Sequence, residues 1–218
     1  MYLLTKHIIK AKSQIVKHYF DFLTFIFKKF FIYTKNLLYY NKIEVILFME
    51  RLIGFAPSID ENCTTIILGS MPSVKSLEQQ QYYAHPQNRF WKLMAIFFNE
   101  GIIPTIYQER LELLRKNHIA LWDSIDSCIR EGSLDSAICD EVPNDFKALF
   151  AKYPKIKTIC FNGGKSFQCF KKYNKDILKD KTYTFYTLPS TSPANAKFRL
   201  PMLQEVWQQA LARHINNK

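Results

Sequence analysis

The sequence predicts a three-layer α/β/α fold with a central four-stranded parallel sheet, and three observations predict it. Four short apolar runs, near Thr64–Leu68, Ile119–Trp122, Ile156–Phe161 and Thr182–Thr187, are separated by stretches with helical spacing of apolar residues. Each run breaks at its carboxyl end into a polar loop, as open α/β sheets do where they hold ligands. A chain of 218 residues that is 48% hydrophobic can bury such a sheet on both faces.

The first run ends in Gly69-Ser70-Met71-Pro72-Ser73, a break typical of a loop. Phe90, Trp91, Met94, Phe97 and Phe98 follow at helical spacing and predict an amphipathic helix ending near Gly101. His85 and Asn88 fall at its start, where unpaired backbone N–H groups hold an anion or a polar ligand; Asn88 acting only as a cap is the alternative. Tyr107, Leu111 and Leu114 mark a second helix reaching about Lys116, before the second strand and its polar end Asp123-Ser124-Ile125-Asp126-Ser127.

Residues 130–145 read as a long polar connection inserted into the domain. Asn144 or Asp145 then caps a helix carrying Phe146, Leu149 and Phe150, which Pro154 terminates. The third strand delivers Asn162-Gly163-Gly164 ahead of a helix through Phe167 and Phe170. The fourth delivers Leu188-Pro189-Ser190-Thr191-Ser192-Pro193-Ala194-Asn195, and a final helix runs from about Met202 to His214.

A formal net charge of +11 favours polyanionic partners. Residues 1–48 contribute +6 of it and contain twelve aromatic residues, but no run reaches the ~18 apolar residues of a membrane span. This segment is either a surface appendage or a translated upstream stretch preceding a start at Met49, with membrane anchoring the minor case. Residues 49–218 are expected to form a single domain. The five cysteines form no CxxC pair, which points to a reducing compartment and to neither zinc nor an iron–sulfur cluster. Gly163-Gly164-Lys165-Ser166 lacks the glycine spacing of a phosphate loop, and there is no GxSxG elbow.

Taken together, Gly69–Ser73, Tyr82-Tyr83-Ala84-His85-Pro86-Gln87-Asn88-Arg89-Phe90-Trp91, Leu121–Ser124, Gly132-Ser133-Leu134-Asp135, Phe161–Gly163 and Leu188–Asn195 form an ordered series of blocks. In that order they resemble the uracil-DNA glycosylase superfamily, and within it the hypoxanthine (deoxyinosine) DNA glycosylase branch. The resemblance runs from about Glu50 to Ala212 and leaves residues 1–48 outside it. It implies a monofunctional base-excision enzyme that releases hypoxanthine from deoxyinosine in double-stranded DNA carrying a deaminated or otherwise damaged base; a uracil or mismatch-type glycosylase, or a non-catalytic damaged-DNA-binding protein on the same fold, is the alternative. It also implies a monomer without cofactor or metal, working in the cytoplasm on the nucleoid.

The resemblance also suggests roles. Asn88 would orient water toward C1′ with its amide oxygen while the loop holds its NH₂ group, because Met71 stands where relatives carry the water-positioning Asp or Asn. Asn162 is the second catalytic candidate. Asp123 would accept the N1–H of hypoxanthine, with Ser70, Met71, Tyr82, Tyr83 and His85 around the base and the tyrosines stacking on it. Asp123 and Asn162 each have a structural alternative as loop caps. Arg89, Lys165, Ser190, Thr191, Ser192, Lys197 and Arg199 are the expected contacts to the DNA backbone. Leu188, where relatives place His or Asn, makes strong stabilisation of an expelled uracil anion less expected.

Overall fold

The structure, a computed structural model, describes residues 50–215. The expectations for residues 1–48 lie outside them. In chain order the elements are β1 (Leu52–Ile53), β2 (Thr65–Gly69), α1 (Val74–Gln79), α2 (Phe90–Phe98), α3 (Tyr107–Lys116), β3 (Ile119–Asp123), β4 (Ile125–Ile129), a 3-10 turn (Asp135–Ala137) and β5 (Cys139–Pro143). They continue with α4 (Phe146–Lys152), β6 (Thr158–Asn162), α5 (Gly164–Tyr173), α6 (Lys175–Lys179), β7 (Thr184–Leu188) and α7 (Leu200–Ile215).

The four apolar runs form one parallel sheet in the order β3-β2-β6-β7. Alternation along the strands sends Ile67, Leu121, Cys160 and Leu188 into a core covered by α2, α3 and α7, where Phe90, Met94, Leu114 and Trp207 are buried. Ile66, Leu68, Ala120, Ile159 and Phe161 face the opposite core, closed by Phe146, Phe150, Phe170 and Ile177 from α4, α5 and α6. Two of the strands begin later than the apolar pattern predicts because turns consume their first residues. Ile156 donates its N–H to Tyr153 O, and Thr182 donates its N–H to the Asp180 carboxylate.

Residues 125–145 depart from expectation. Ile125–Ile129 and Cys139–Pro143 are not loop but strands of a second, antiparallel sheet ordered β1-β4-β5. Asp140, Glu141 and Pro143 disguise β5, which lies at the sheet edge, where charged residues and proline are tolerated. Under this sheet a third small core gathers Met71, Ile125, Cys128, Ile138 and Cys169. None of the described helices is long and apolar enough to cross a membrane.

Candidate active site

Strand register builds the site. Gly69 pairs with Asp123, Leu68 with Phe161, and Asn162 with Leu188. Gly69, Asp123, Asn162 and Leu188 therefore form one row across the carboxyl edge of the sheet, on the face covered by α2 and α7. Leu188 is buried in the core, so the polar members of the row are Asp123 and Asn162. Above them lies a cavity of about 460 Å³, walled by Gly69–Ser73, Tyr82, Tyr83, Asn88, residues 133–136 and the loop Ser190–Asn195.

Asp123 is 4% exposed, and its side chain makes no hydrogen bond among the described residues; Oδ2 is a buried atom without a partner. Only its backbone carbonyl is engaged, accepting from Asn144 Nδ2 at 2.9 Å. The loop-cap alternative thus has no bond behind it. Burial pushes the carboxyl up to about 7, against the pull of Arg130 and with a further push from Asp135. Gly69 makes room for this group, since a Cβ there would lie 2.3 Å from Asp123 Oδ1.

Asn162 is consumed differently. Its Nδ2 donates to Thr191 Oγ1 and its Oδ1 accepts from Thr191 N–H, both at 2.9 Å. Thr191 is fully buried, so its hydroxyl is not presented to a DNA backbone. Arg89 also departs from the expected phosphate contact. Its Nε donates to Thr191 O at 3.2 Å, and its two NH groups donate to the carbonyls of Phe198, Ser192 and Asn195. The guanidinium is a brace for the last polar loop. Ser190 and Ser192 oxygens accept from Ser192 N–H and Ala194 N–H in tight local turns at the cavity wall.

Asn88 lines the cavity and does cap α2, its Oδ1 accepting from Phe90 N–H at 3.0 Å. The loop holds the amide by its oxygen, the reverse of the expected arrangement, and the second lone pair of that oxygen remains for water. With Arg89 N–H donating to Thr191 O, two amides at the helix start are already satisfied and the expected anion seat is reduced. His85 turns away: its Nδ1 accepts from Gln87 N–H at 3.2 Å, and with Arg89 it lines a neighbouring cleft.

The two tyrosines part company. Tyr82 is 4% exposed, donates to Ala56 O at 3.1 Å and packs edge-on against Phe55, so it is core and not a base-stacking platform. Tyr83 stands in the left-handed region at φ 55° with its ring stacked on Phe90 at 3.9 Å, and its hydroxyl is buried without a partner. Met71 packs into the third core, which explains why no water-holding group is found there. Lys165, Lys197 and Arg199 lie outside the cavity wall.

Sequence reasoning missed the wall formed after β4. Ser70 Oγ donates to Asp135 Oδ1 at 2.6 Å, Val74 N–H donates to Ser133 Oγ at 3.0 Å, and buried Arg130 donates to Pro72 O. These bonds tie the Gly-Ser-Leu-Asp block to the Gly-Ser-Met-Pro loop. The block was visible in the sequence as a unit; nothing in the pattern singled out Arg130 as buried. Among the described residues no group of three or more His, Cys, Asp or Glu side chains is placed to hold a metal ion.

Comparison with known proteins gives the same direction. A family model described as the uracil DNA glycosylase superfamily matches residues 56–211. Two proteins named hypoxanthine DNA glycosylase are similar: that of Methanosarcina acetivorans is 40% identical over 161 residues and that of Methanosarcina barkeri 39% over 160. These alignments cover 74% and 73% of this chain and 98% of each relative. A Methanosarcina acetivorans protein solved by solution NMR as a candidate uracil DNA glycosylase superposes with a TM-score of 0.64 at 38% identity, over 76% of this chain and 99% of that one.

Proposed function

The chain belongs to the uracil DNA glycosylase superfamily, and from that premise we propose that its site hydrolyses the N-glycosidic bond of deoxyinosine in DNA and releases hypoxanthine. The observation that carries the choice of base is the unpartnered Asp123 carboxylate at the floor of the cavity. An acceptor without a donor of its own suits the N1–H of hypoxanthine, whereas the N1 lone pair of adenine would meet it unfavourably.

The base leaves the duplex stack to enter the cavity. Asn88, fixed by its bond to Phe90 N–H, turns its remaining lone pair to a water aimed at C1′. The water oxygen joins C1′ as the bond to N9 opens, and one of its protons ends on the released base. Asn162 and Arg89 hold the Ser190–Asn195 loop in place around the sugar and do not touch the reacting atoms. Lys165, Lys197 and Arg199 attract the DNA backbone, and the chain acts as a monomer on the nucleoid in the cytoplasm.

A product-resolved single-turnover assay over duplexes carrying deoxyinosine, deoxyuridine or undamaged deoxyadenosine tests the reading. Hypoxanthine released in preference to uracil and adenine is the expected result. Uracil as the faster product would replace the substrate, and tight binding of the deoxyinosine duplex without release of any base would make the protein a damage binder.

A further inference from the structure

The polar atoms that the fold leaves without partners are not scattered. Among the described residues, three buried side-chain atoms have none: the Tyr83 hydroxyl, Asp123 Oδ2 and Arg130 Nε. The first two belong to residues that line the same cavity, at a single point of it. A Cβ on Gly69 would lie 2.3 Å from Asp123 Oδ1 and 3.5 Å from the Tyr83 hydroxyl, yet the two side chains make no hydrogen bond to each other. Proteins pair the large majority of buried polar groups with protein or ordered water, so a donor and an acceptor left open on two residues of one cavity wall mark a place for a polar group from outside the fold.

Tyr83 is placed there at a cost. Its φ of 55° is a conformation that non-glycine residues seldom adopt, and the surroundings impose it from both sides. Tyr82 N–H donates to the Tyr107 hydroxyl at 2.9 Å and Ala84 N–H donates to Ser76 Oγ at 3.3 Å. One face of the ring is taken by Phe90. Burial, reinforced by the nearby Asp123 charge, raises the phenol well above its ordinary pKa and keeps it a donor; the Asn162 amide pulls the other way without reaching it in hydrogen-bond geometry.

We propose that the Tyr83 hydroxyl and the Asp123 carboxylate form a paired donor and acceptor that reads the lactam edge of the extruded base, the hydroxyl donating to the ring carbonyl oxygen and the carboxylate accepting from the adjacent N–H. The inference rests on the glycosylase reading and deepens it: the pair separates a purine with a cis –NH–C(=O)– edge, such as hypoxanthine, from adenine, while uracil and guanine share that edge and are told apart by other parts of the cavity. Hypoxanthine satisfies both groups. Adenine presents the reverse polarity at both, a lone pair that leaves the carboxylate unpaired and an amino group from which the hydroxyl can only accept, so the hydroxyl proton finds no acceptor on the base. The donor also has a part in the chemistry, because negative charge develops on the carbonyl oxygen as the C1′–N9 bond opens.

Tyr83→Phe tests this, since it keeps the ring and its stacking on Phe90 and removes only the hydroxyl. Single-turnover release is measured from duplexes carrying deoxyinosine or unsubstituted purine deoxyriboside, whose base has the same ring without the carbonyl and the N1–H. The expected result is a loss of at least about tenfold on deoxyinosine with little change on purine, so that the preference between them collapses. No loss on deoxyinosine, or equal losses on both, overturns the pairing. Calorimetric binding of free hypoxanthine and free purine to parent and variant makes the same comparison without turnover. Equal affinity of parent and Tyr83→Phe for hypoxanthine would sink the pairing, whereas a parent that binds hypoxanthine through Tyr83 yet releases no base would count against the glycosylase reading alone.

Discussion

Asp123→Asn separates the chemical role of this carboxyl from a structural one, because the two predict opposite signs. The carboxyl is buried, unpartnered and displaced from 3.8 to about 7. A displacement of about three units, at about 1.4 kcal/mol per unit, makes the ionised group cost the fold on the order of 4 kcal/mol. The direction follows from the raised pKa. The folded state holds the proton more tightly than the unfolded chain, so stability associated with this group is fully present below about pH 4 and is lost as pH rises through about 7.

An amide at position 123 does not titrate. The stability of Asp123→Asn minus that of the parent should therefore be greatest near pH 8 and should fall by about 2 to 3 kcal/mol on going to pH 5, whatever constant offset the amide brings. Urea unfolding of both proteins at the two pH values measures this, since other titrating groups cancel in the difference. At about 2–4 °C per kcal/mol for a domain of this size, the melting temperature of the variant relative to the parent should be several degrees higher at pH 8 than at pH 5. Hypoxanthine release should fall in the same variant, because the acceptor becomes an ambiguous amide. A difference in stability that does not change between pH 8 and pH 5, or one that moves further in the variant's favour at pH 5, would refute the reasoning.

Asn88→Ala should slow base release by at least about tenfold while DNA affinity stays close to the parent's, and should cost about 1 kcal/mol of stability through loss of the bond to Phe90 N–H; release at the parental rate would remove Asn88 from the chemistry. Arg89→Gln should lower stability by about 2 to 4 kcal/mol because several carbonyls of the 191–198 loop lose their donor. The salt dependence of its DNA binding should be unchanged, whereas a phosphate contact would reduce the slope by about one. Met71→Asn should cost at least about 2 kcal/mol by placing an amide in the third core, with no gain of uracil release, and a stable variant that excises uracil would show that position 71 still addresses water.

The parallel sheet was legible because β2, β3 and β6 are buried on both faces and so appear as near-continuous apolar runs, while β7, half-exposed at the sheet edge, still shows Phe185, Tyr186 and Leu188. The final helix was legible too, because Leu203, Trp207, Ala210 and Leu211, the residues it buries, recur at helical spacing along one face. The antiparallel sheet was not, because only half of β5 is turned inward and its sequence, Cys139-Asp140-Glu141-Val142-Pro143, carries three residues that strands disfavour. At the site, strand ends gave Asp123 and Asn162, but spacing is blind to what each side chain is bonded to. Tyr82 and Tyr83 are neighbours in sequence with nearly the same chemistry. A left-handed backbone at Tyr83 turns one hydroxyl to the cavity, while the other serves the core at Ala56.

The distinction that matters at the carboxyl edge of this sheet is between polar groups spent on building the cavity and polar groups left open within it. Asn162 and Arg89 belong to the first kind, and between them they engage the backbone of Thr191, Ser192, Asn195 and Phe198. Ser70, Ser133 and Arg130 do the same for the opposite wall, binding Asp135, Val74 and Pro72. With both walls held by bonds that need no substrate, the cavity keeps its shape when empty, and the groups on its floor need no partner in the fold to position them. That arrangement is what allows Asp123 and Tyr83 to remain unpaired at all. A mobile wall would let a neighbouring amide or hydroxyl swing in and satisfy them, and the cost of desolvating both groups would then yield no discrimination between one base edge and another.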